Sequence, residues 1–206
     1  RAVVAISSHH VSVERQFRYP TEYGVQRPPT ATWTATGAGA AVLAYEGRGP
    51  RVTHATVSRL IDVGFKEPYD LGAAMAPAAD TIAQHLRDCG RTPEDYDLII
   101  TGDLGRVGKP MAEELIREAG FNVTPVFDDC GLRLYSPQQD VHAGGSGCAC
   151  SALTFNADLF PLLAGRRLGR VLLVSTGAMF SPTSYQQGES IPCVAYAVAI
   201  EGAGRC

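Results

Sequence analysis

No apolar run in this chain approaches the roughly 20 residues that a membrane-spanning helix needs. Basic residues are not in excess either: 18 Lys and Arg stand against 21 Asp and Glu, and no basic stripe breaks the formal charge of −3. Nucleic acid is therefore excluded as an expected partner. Six cysteines occur (Cys89, Cys130, Cys148, Cys150, Cys193, Cys206), but none falls at the spacing of a zinc site, and most sit in apolar or helical patterns. They read as reduced thiols, with no metal and no cofactor expected. The chain opens at Arg1 without methionine or a signal peptide, so the expectation is that its true N-terminus lies upstream.

What is present is a chain of 206 residues, 45% hydrophobic, able to bury roughly 70% of its unfolded surface. Short β-branched runs alternate with helical periodicity. Ala2–Ile6 reads as a strand, Thr30–Tyr45 as a strand with a glycine kink or close contact at Gly37 and Gly39, and Val52–Asp62 as another. Met75, Ala78, Ala79, Ile82, Ala83 and Leu86 recur at helical spacing and Gly90 stops that helix. Asp97–Thr101 is a buried strand, Pro110 opens a helix that Gly120 ends, and Asn122–Phe127 is a strand. Cys148–Leu163 is a buried helix, and Arg170–Ser175 and Cys193–Ile200 are strands. That alternation predicts a layered α/β fold.

Two stretches look like copies of one unit. Ala2–Gly47 and Val171–Gly202 each run from an apolar strand ending in small polar residues, through a loop with Pro, Thr and Tyr, to an Ala/Val-rich strand ending Glu-Gly. The other concentrated signal is Asp140–Ala152, DVHAGGSGCACSA. Gly144, Gly145 and Gly147 surround Ser146 ahead of the apolar helix, with His142 just before them. A helix start there would aim backbone donors at an anion. A tight turn that only lets a helix pack closely reads equally well. Asp103, in Thr-Gly-Asp, could orient a histidine or meet calcium, or simply cap a helix. Arg15 and Arg18 could clamp an anion or bind neighbouring loops, and His9-His10 ends the first strand.

Several strings carry a family resemblance: ERQFRYPTEYG (14–24) with PPTAT (28–32), AAMAPAA (73–79), YDLIITGDL (96–104), DDCG (128–131), AGGSGCACSA (143–152) and TGAMFSPTSYQQGESIP (176–192). Together these resemble the stage V sporulation protein AD family. The resemblance implies a thiolase-like fold of two similar α/β halves, with residues 1–51 the tail of the first half and 52–206 the second half. It further implies a protein of the developing spore, soluble or peripheral at the inner membrane. Such a protein would bind dipicolinic acid or its calcium chelate and work with other stage V sporulation proteins, with a homodimer allowed. A dianionic ligand of that kind needs converging donors and positive charge, which makes His142, Gly144, Gly145, Ser146, Gly147, Asp103, Arg15 and Arg18 the candidate ligand-binding residues. The rival implication is an acyl-condensing enzyme of the thiolase or ketoacyl synthase III type. Such enzymes carry a His-Gln-Ala-Asn string where this chain has Gly102-Asp103-Leu104-Gly105, and an asparagine that the glycine-rich loop lacks. No catalysis is expected, since no imidazole stands there to move a proton.

Overall fold

The structure, a computed structural model, describes residues 2–8 and 28–203, with only the backbone considered at 3–8. In chain order the elements are β1 (Ala2–Ser8), β2 (Trp33–Thr34), β3 (Gly37–Leu43), β4 (Arg51–Val57), α1 (Leu71–Met75) and α2 (Asp80–Cys89). There follow β5 (Leu98–Thr101), α3 (Gly105–Glu118), β6 (Phe127–Asp129), α4 (Cys130–Arg133), β7 (Gly145–Ser146), α5 (Ala149–Thr154) and α6 (Phe160–Ala164). The last are β8 (Arg170–Ala178), α7 (Pro182–Gln186) and β9 (Cys193–Glu201).

A five-stranded mixed sheet in the order β4-β9-β8-β5-β6 forms the centre. β5 runs parallel to β6 and β8, whereas β9 is antiparallel to both of its neighbours. The alternation of side chains across each strand divides the core in two. Ile99, Leu172, Val174, Ala195, Ala197 and Ala199 face Ile82, Leu86, Ala112 and Ile116 of α2 and α3. Leu98, Ile100, Val171 and Ile200 face Cys150, Leu159 and Leu163 on the other side. Each fully buried Leu or Ile stabilises the fold by about 1.5–3 kcal/mol. The helix of that second layer is itself covered by the two-stranded sheet of β1 and β3. A Cβ on Gly39 would lie 2.7 Å from the Ala152 carbonyl oxygen, so glycine is there for close approach. The result is a helix–sheet–helix–sheet stack.

Both repeat-like units form antiparallel pairs, Ala2↔Leu43 through Ser8↔Gly37 and Arg170↔Glu201 through Ala178↔Cys193. The second pair is central in the large sheet, but the first stands as a separate two-stranded sheet rather than inside a mixed one.

Element boundaries depart from the sequence expectation where proline or a side-chain acceptor intervenes. The helix expected from Met75 to Leu86 is interrupted by a 3-10 turn at Ala76–Ala79, because Pro77 has no N–H to give the helix ladder. Asn122–Phe127 is not a strand: Pro125 lies in a 3-10 turn, and pairing begins only at Phe127. The third helix starts at Gly105, not Pro110, which sits inside it. Its start is fixed by the Asp129 carboxylate, which accepts from the Leu104 and Gly105 amides at 2.8 and 3.0 Å. The expected helix Cys148–Leu163 passes through a π turn at Phe155–Leu159. There the Asn156 side-chain amide donates to the Ala152 carbonyl at 2.8 Å and competes with the backbone ladder. The strand expected at Val52–Asp62 ends at Val57.

The edge strand β4 is fastened by one buried histidine. His85 on α2 has no exposed surface. Its Nδ1 lies 2.7 Å from the Thr56 hydroxyl and its Nε2 lies 2.7 Å from the Tyr96 hydroxyl. Arg91 donates to the same Tyr96 oxygen at 3.2 Å, which leaves the phenol proton for Nε2 and the imidazole proton for Thr56. Burial, with the nearby His54 and Arg91, holds the His85 pKa down to about 4, although Asp88 opposes this. The native state therefore keeps His85 neutral while the unfolded chain takes up a proton as pH falls below about 6.5. Stability from this site is complete above pH 6.5 and is lost between pH 6.5 and 4, to the extent of roughly 3 kcal/mol. Urea unfolding across that range should show a steeper loss for wild type than for His85→Gln; equal slopes would assign the titration to another group.

Candidate functional site

Strands β5 and β8 lie side by side in parallel, with Thr101 opposite Val174, so their carboxyl ends deliver Gly102-Asp103 beside Ser175-Thr176. Outside such strand ends is where open α/β sheets place ligands. A cleft of about 380 Å³ opens there, within the size range of small-molecule sites. One wall carries Gly102, Asp103, Ser146 and Gly147, a second Ser175, Thr176 and Phe180, and a third Leu71 and Met75; Cys148 and Ser151 also line it.

Asp103 organises this corner. It is buried, and its Oδ2 accepts from the Ser146 hydroxyl at 2.6 Å and from the Gly147 amide at 3.0 Å. Its Oδ1 accepts from the Thr176 hydroxyl at 3.0 Å. One carboxylate thus joins the glycine-rich loop to β8. Behind it, Asp129 is wholly buried and receives Thr101 Oγ1 at 2.7 Å in addition to the two amides at the start of α3. Burial pushes its carboxyl up to about 6, and the Asp103 charge adds to this. The hydrogen bonds from Thr101, Gly105 and Leu104 pull the other way. Burial also holds the neighbouring Cys130 thiol well above its ordinary range, which keeps it un-ionised and unreactive.

Of the sequence-derived site residues, Asp103, Ser146 and Gly147 line the cleft, whereas His142, Gly144 and Gly145 do not. Two of the expected anion-binding amides are already engaged. Gly144 N donates to the Val141 carbonyl at 3.0 Å and Gly147 N to Asp103. Gly145 and Ser146 form the short strand β7, paired in parallel with Trp33 and Thr34. His142 is directed elsewhere: Nδ1 donates to the Pro28 carbonyl at 3.1 Å, and Nε2 lies 3.6 Å from the Asp140 carboxylate. Helix α5 begins only at Ala149, beyond the glycines. The glycine loop is thus a packed, strand-paired turn rather than an open cradle of donors. Arg15, Arg18 and the His9-His10 pair lie outside the described residues.

Thr176, Ser175, Phe180, Cys148, Ser151, Leu71 and Met75 were not singled out from sequence. A signal existed for two of them, because VLLVSTG and DLIITGD both end a buried strand in a hydroxyl residue and glycine. Among the described residues, no three His, Cys, Asp or Glu side chains converge to hold a metal ion. No helix among them is long and apolar enough to cross a membrane.

The layered α/β fold is of the thiolase-like class. The solved structure of AbyA1, a tetronic acid condensing enzyme, overlays on 98% of this chain and 57% of its own, at a TM-score of 0.51 and 18% identity. 3-Oxoacyl-[acyl-carrier-protein] synthase III from Aquifex aeolicus VF5 covers 82% of this chain and 50% of its own at a TM-score of 0.45 and 14% identity. Within that class the chain belongs to the stage V sporulation protein AD (SpoVAD) family, which residues 1–201 match. The stage V sporulation protein AD of Bacillus subtilis (strain 168) is 52% identical over 205 residues, 99% of this chain and 61% of the relative's length. The chain therefore spans less than two thirds of that relative.

Proposed function

We propose that this chain is the portion of a sporulation protein that binds dipicolinic acid or its calcium chelate, supports its uptake into the developing spore, and performs no condensation. Residues 1–51 read as the tail of a first thiolase-like half and 52–206 as the second. The observation that carries the reading is the cleft beside Asp103, whose described lining sets the hydroxyls of Ser146, Ser151, Ser175 and Thr176 opposite Leu71, Met75 and Phe180 and holds no imidazole. At Gly102, where the condensing-enzyme pattern has histidine, a Cβ would already lie 2.9 Å from the Thr176 hydroxyl oxygen. A larger side chain there would require Thr176 to shift, and the described lining offers no imidazole to move a proton. The single charged described residue of the lining is the Asp103 carboxylate. It disfavours a free dianion and is compatible with a charge-neutral calcium chelate. Arg15 and Arg18 are the proposed source of any positive charge. The family membership is what supports the choice of ligand, and the cleft is what supports the proposed place.

Calorimetric titration of the full-length protein with dipicolinate, with and without calcium, tests this. Saturable binding is expected. Ser175→Phe, which puts a ring into the cleft from an exposed strand end, should weaken it at least tenfold, about 1.4 kcal/mol. His142→Ala should leave affinity unchanged; loss there would return the site to the glycine loop. Absence of binding in wild type, or acyl-CoA turnover, would overturn the proposal.

A further inference from the structure

Two loops frame one end of the cleft, and the structure ties them to each other. The first, residues 58–70, leads into the wall formed by Leu71 and Met75; the second, residues 179–192, leaves from the wall at Ala178 and Phe180. At their base the tie is backbone and largely buried. Ile61 and Cys193 exchange two hydrogen bonds of 2.8 Å, and Ile191 N donates to the Phe65 carbonyl at 2.7 Å. Ile191 and Cys193 are both buried. Farther out the tie changes character. The Ser190 hydroxyl donates to Asp62 Oδ2 at 2.6 Å, and Lys66 Nζ donates to the Gly188 carbonyl at 2.6 Å. Asp62 Oδ1 accepts from Gly64 N at 2.9 Å, so this carboxylate both shapes its own loop and holds the other. Asp62, Lys66 and Gly188 are exposed. Exposed polar contacts are individually weak and break readily. A fixed base with reversible outer bonds is the construction of a hinged clasp.

We infer that residues 62–66 and 179–190 form a clasp across the cleft end, in which Asp62, Lys66 and Ser190 set how fast ligand enters and leaves without touching it. This rests on the reading that the cleft binds a small ligand. Opening the outer bonds frees the loop that carries Phe180 to move away from the Leu71–Met75 wall, which the core holds through Met75, while the Ile61–Cys193 and Phe65–Ile191 backbone bonds keep both loops attached. The residues act by positioning the two walls, so their loss should alter rates more than equilibrium affinity.

The test uses the full-length protein and its Asp62→Asn, Ser190→Ala and Asp62→Asn/Lys66→Met variants. Dipicolinate, with calcium, is the probe, and release is followed by stopped-flow dilution. Release should be five- to twentyfold faster in the variants, association faster as well, and Kd changed less than threefold. Hydrogen exchange gives a second, ligand-free reading. Amides of residues 185–189 and of 62–66 should speed up together in the variants, with the core strands β5 and β8 unchanged. Unchanged release rates with unchanged exchange, or faster exchange in one loop alone, would overturn the clasp. If wild type fails to bind dipicolinate, the functional reading falls. The exchange comparison then decides the clasp by itself: coupled acceleration supports it, and independent or absent change refutes it.

Discussion

Asp103→Ala should unfold the cleft and remove ligand binding together. The substitution takes away the acceptor of the Ser146 hydroxyl, the Gly147 amide and the Thr176 hydroxyl. Ser146 is buried and Gly147 partly so, and an abandoned buried donor costs about 1–3 kcal/mol each. The summed loss is roughly 3–5 kcal/mol, a large share of a domain's net stability. Asp103→Asn gives a sharper comparison. It keeps the shape and one oxygen, but its NH2 faces a donor that the carboxylate had accepted. Its stability should fall about half as far, while the proposed dipicolinate binding is still lost as the glycine loop detaches from β8. Urea midpoints and calorimetry on the same samples measure both. Wild-type stability in Asp103→Ala would mean that this carboxylate does not hold the corner.

Gly131→Ala should be comparably damaging, although it adds a single methyl group. The Cβ would lie 2.2 Å from the Gly145 carbonyl oxygen, a separation that no rotamer change relieves because both partners are backbone. Either α4 must lift from the glycine-rich loop or the two-residue pairing of β7 with β2 must break. A loss of about 3 kcal/mol or more is expected, typical of overpacking in a rigid core. Thermal unfolding should show a lowered midpoint, and exchange at residues 144–147 should rise ahead of the five-stranded sheet. An unchanged midpoint would mean that these two backbones are not in contact.

This contact also explains which parts of the site were legible in the sequence. The core strands were, because DLIIT and RVLLVS are apolar runs that only a sheet covered on both faces can bury. The close approach at Gly39 was legible, since glycine in a strand has few other reasons to be there. The meaning of Gly144–Gly147 was not. A glycine cluster ahead of a helix fits both an anion cradle and a packed turn, and the choice depends on where the amides go. Here they go to Val141 and Asp103, and Asp103 arrives from a turn some forty residues earlier in the chain. The direction of His142 was not legible for the same reason, as its acceptor is the carbonyl of the distant Pro28. Asp129 was passed over within DDCG because nothing local shows that two adjacent aspartates differ. One sits at the buried centre of the α3 start, and Asp128 forms an ion pair with Arg133 at 3.1 Å.

The strand order has a consequence for how the chain is made. Among the described residues, β4 is the first strand of the central sheet in chain order, and the partner beside it is β9, the last. About 135 residues separate them. At roughly 5–20 residues per second the ribosome needs on the order of ten to thirty seconds to deliver that partner. During this interval α2, β5, α3 and β6 can already assemble, whereas β4 has no backbone to pair with. Long-range pairing of this kind is slow to form. Thr53, His54 and Thr56 interrupt the apolar residues along β4, and interruptions of this kind lower the tendency of an unpaired strand to aggregate with a neighbouring nascent chain.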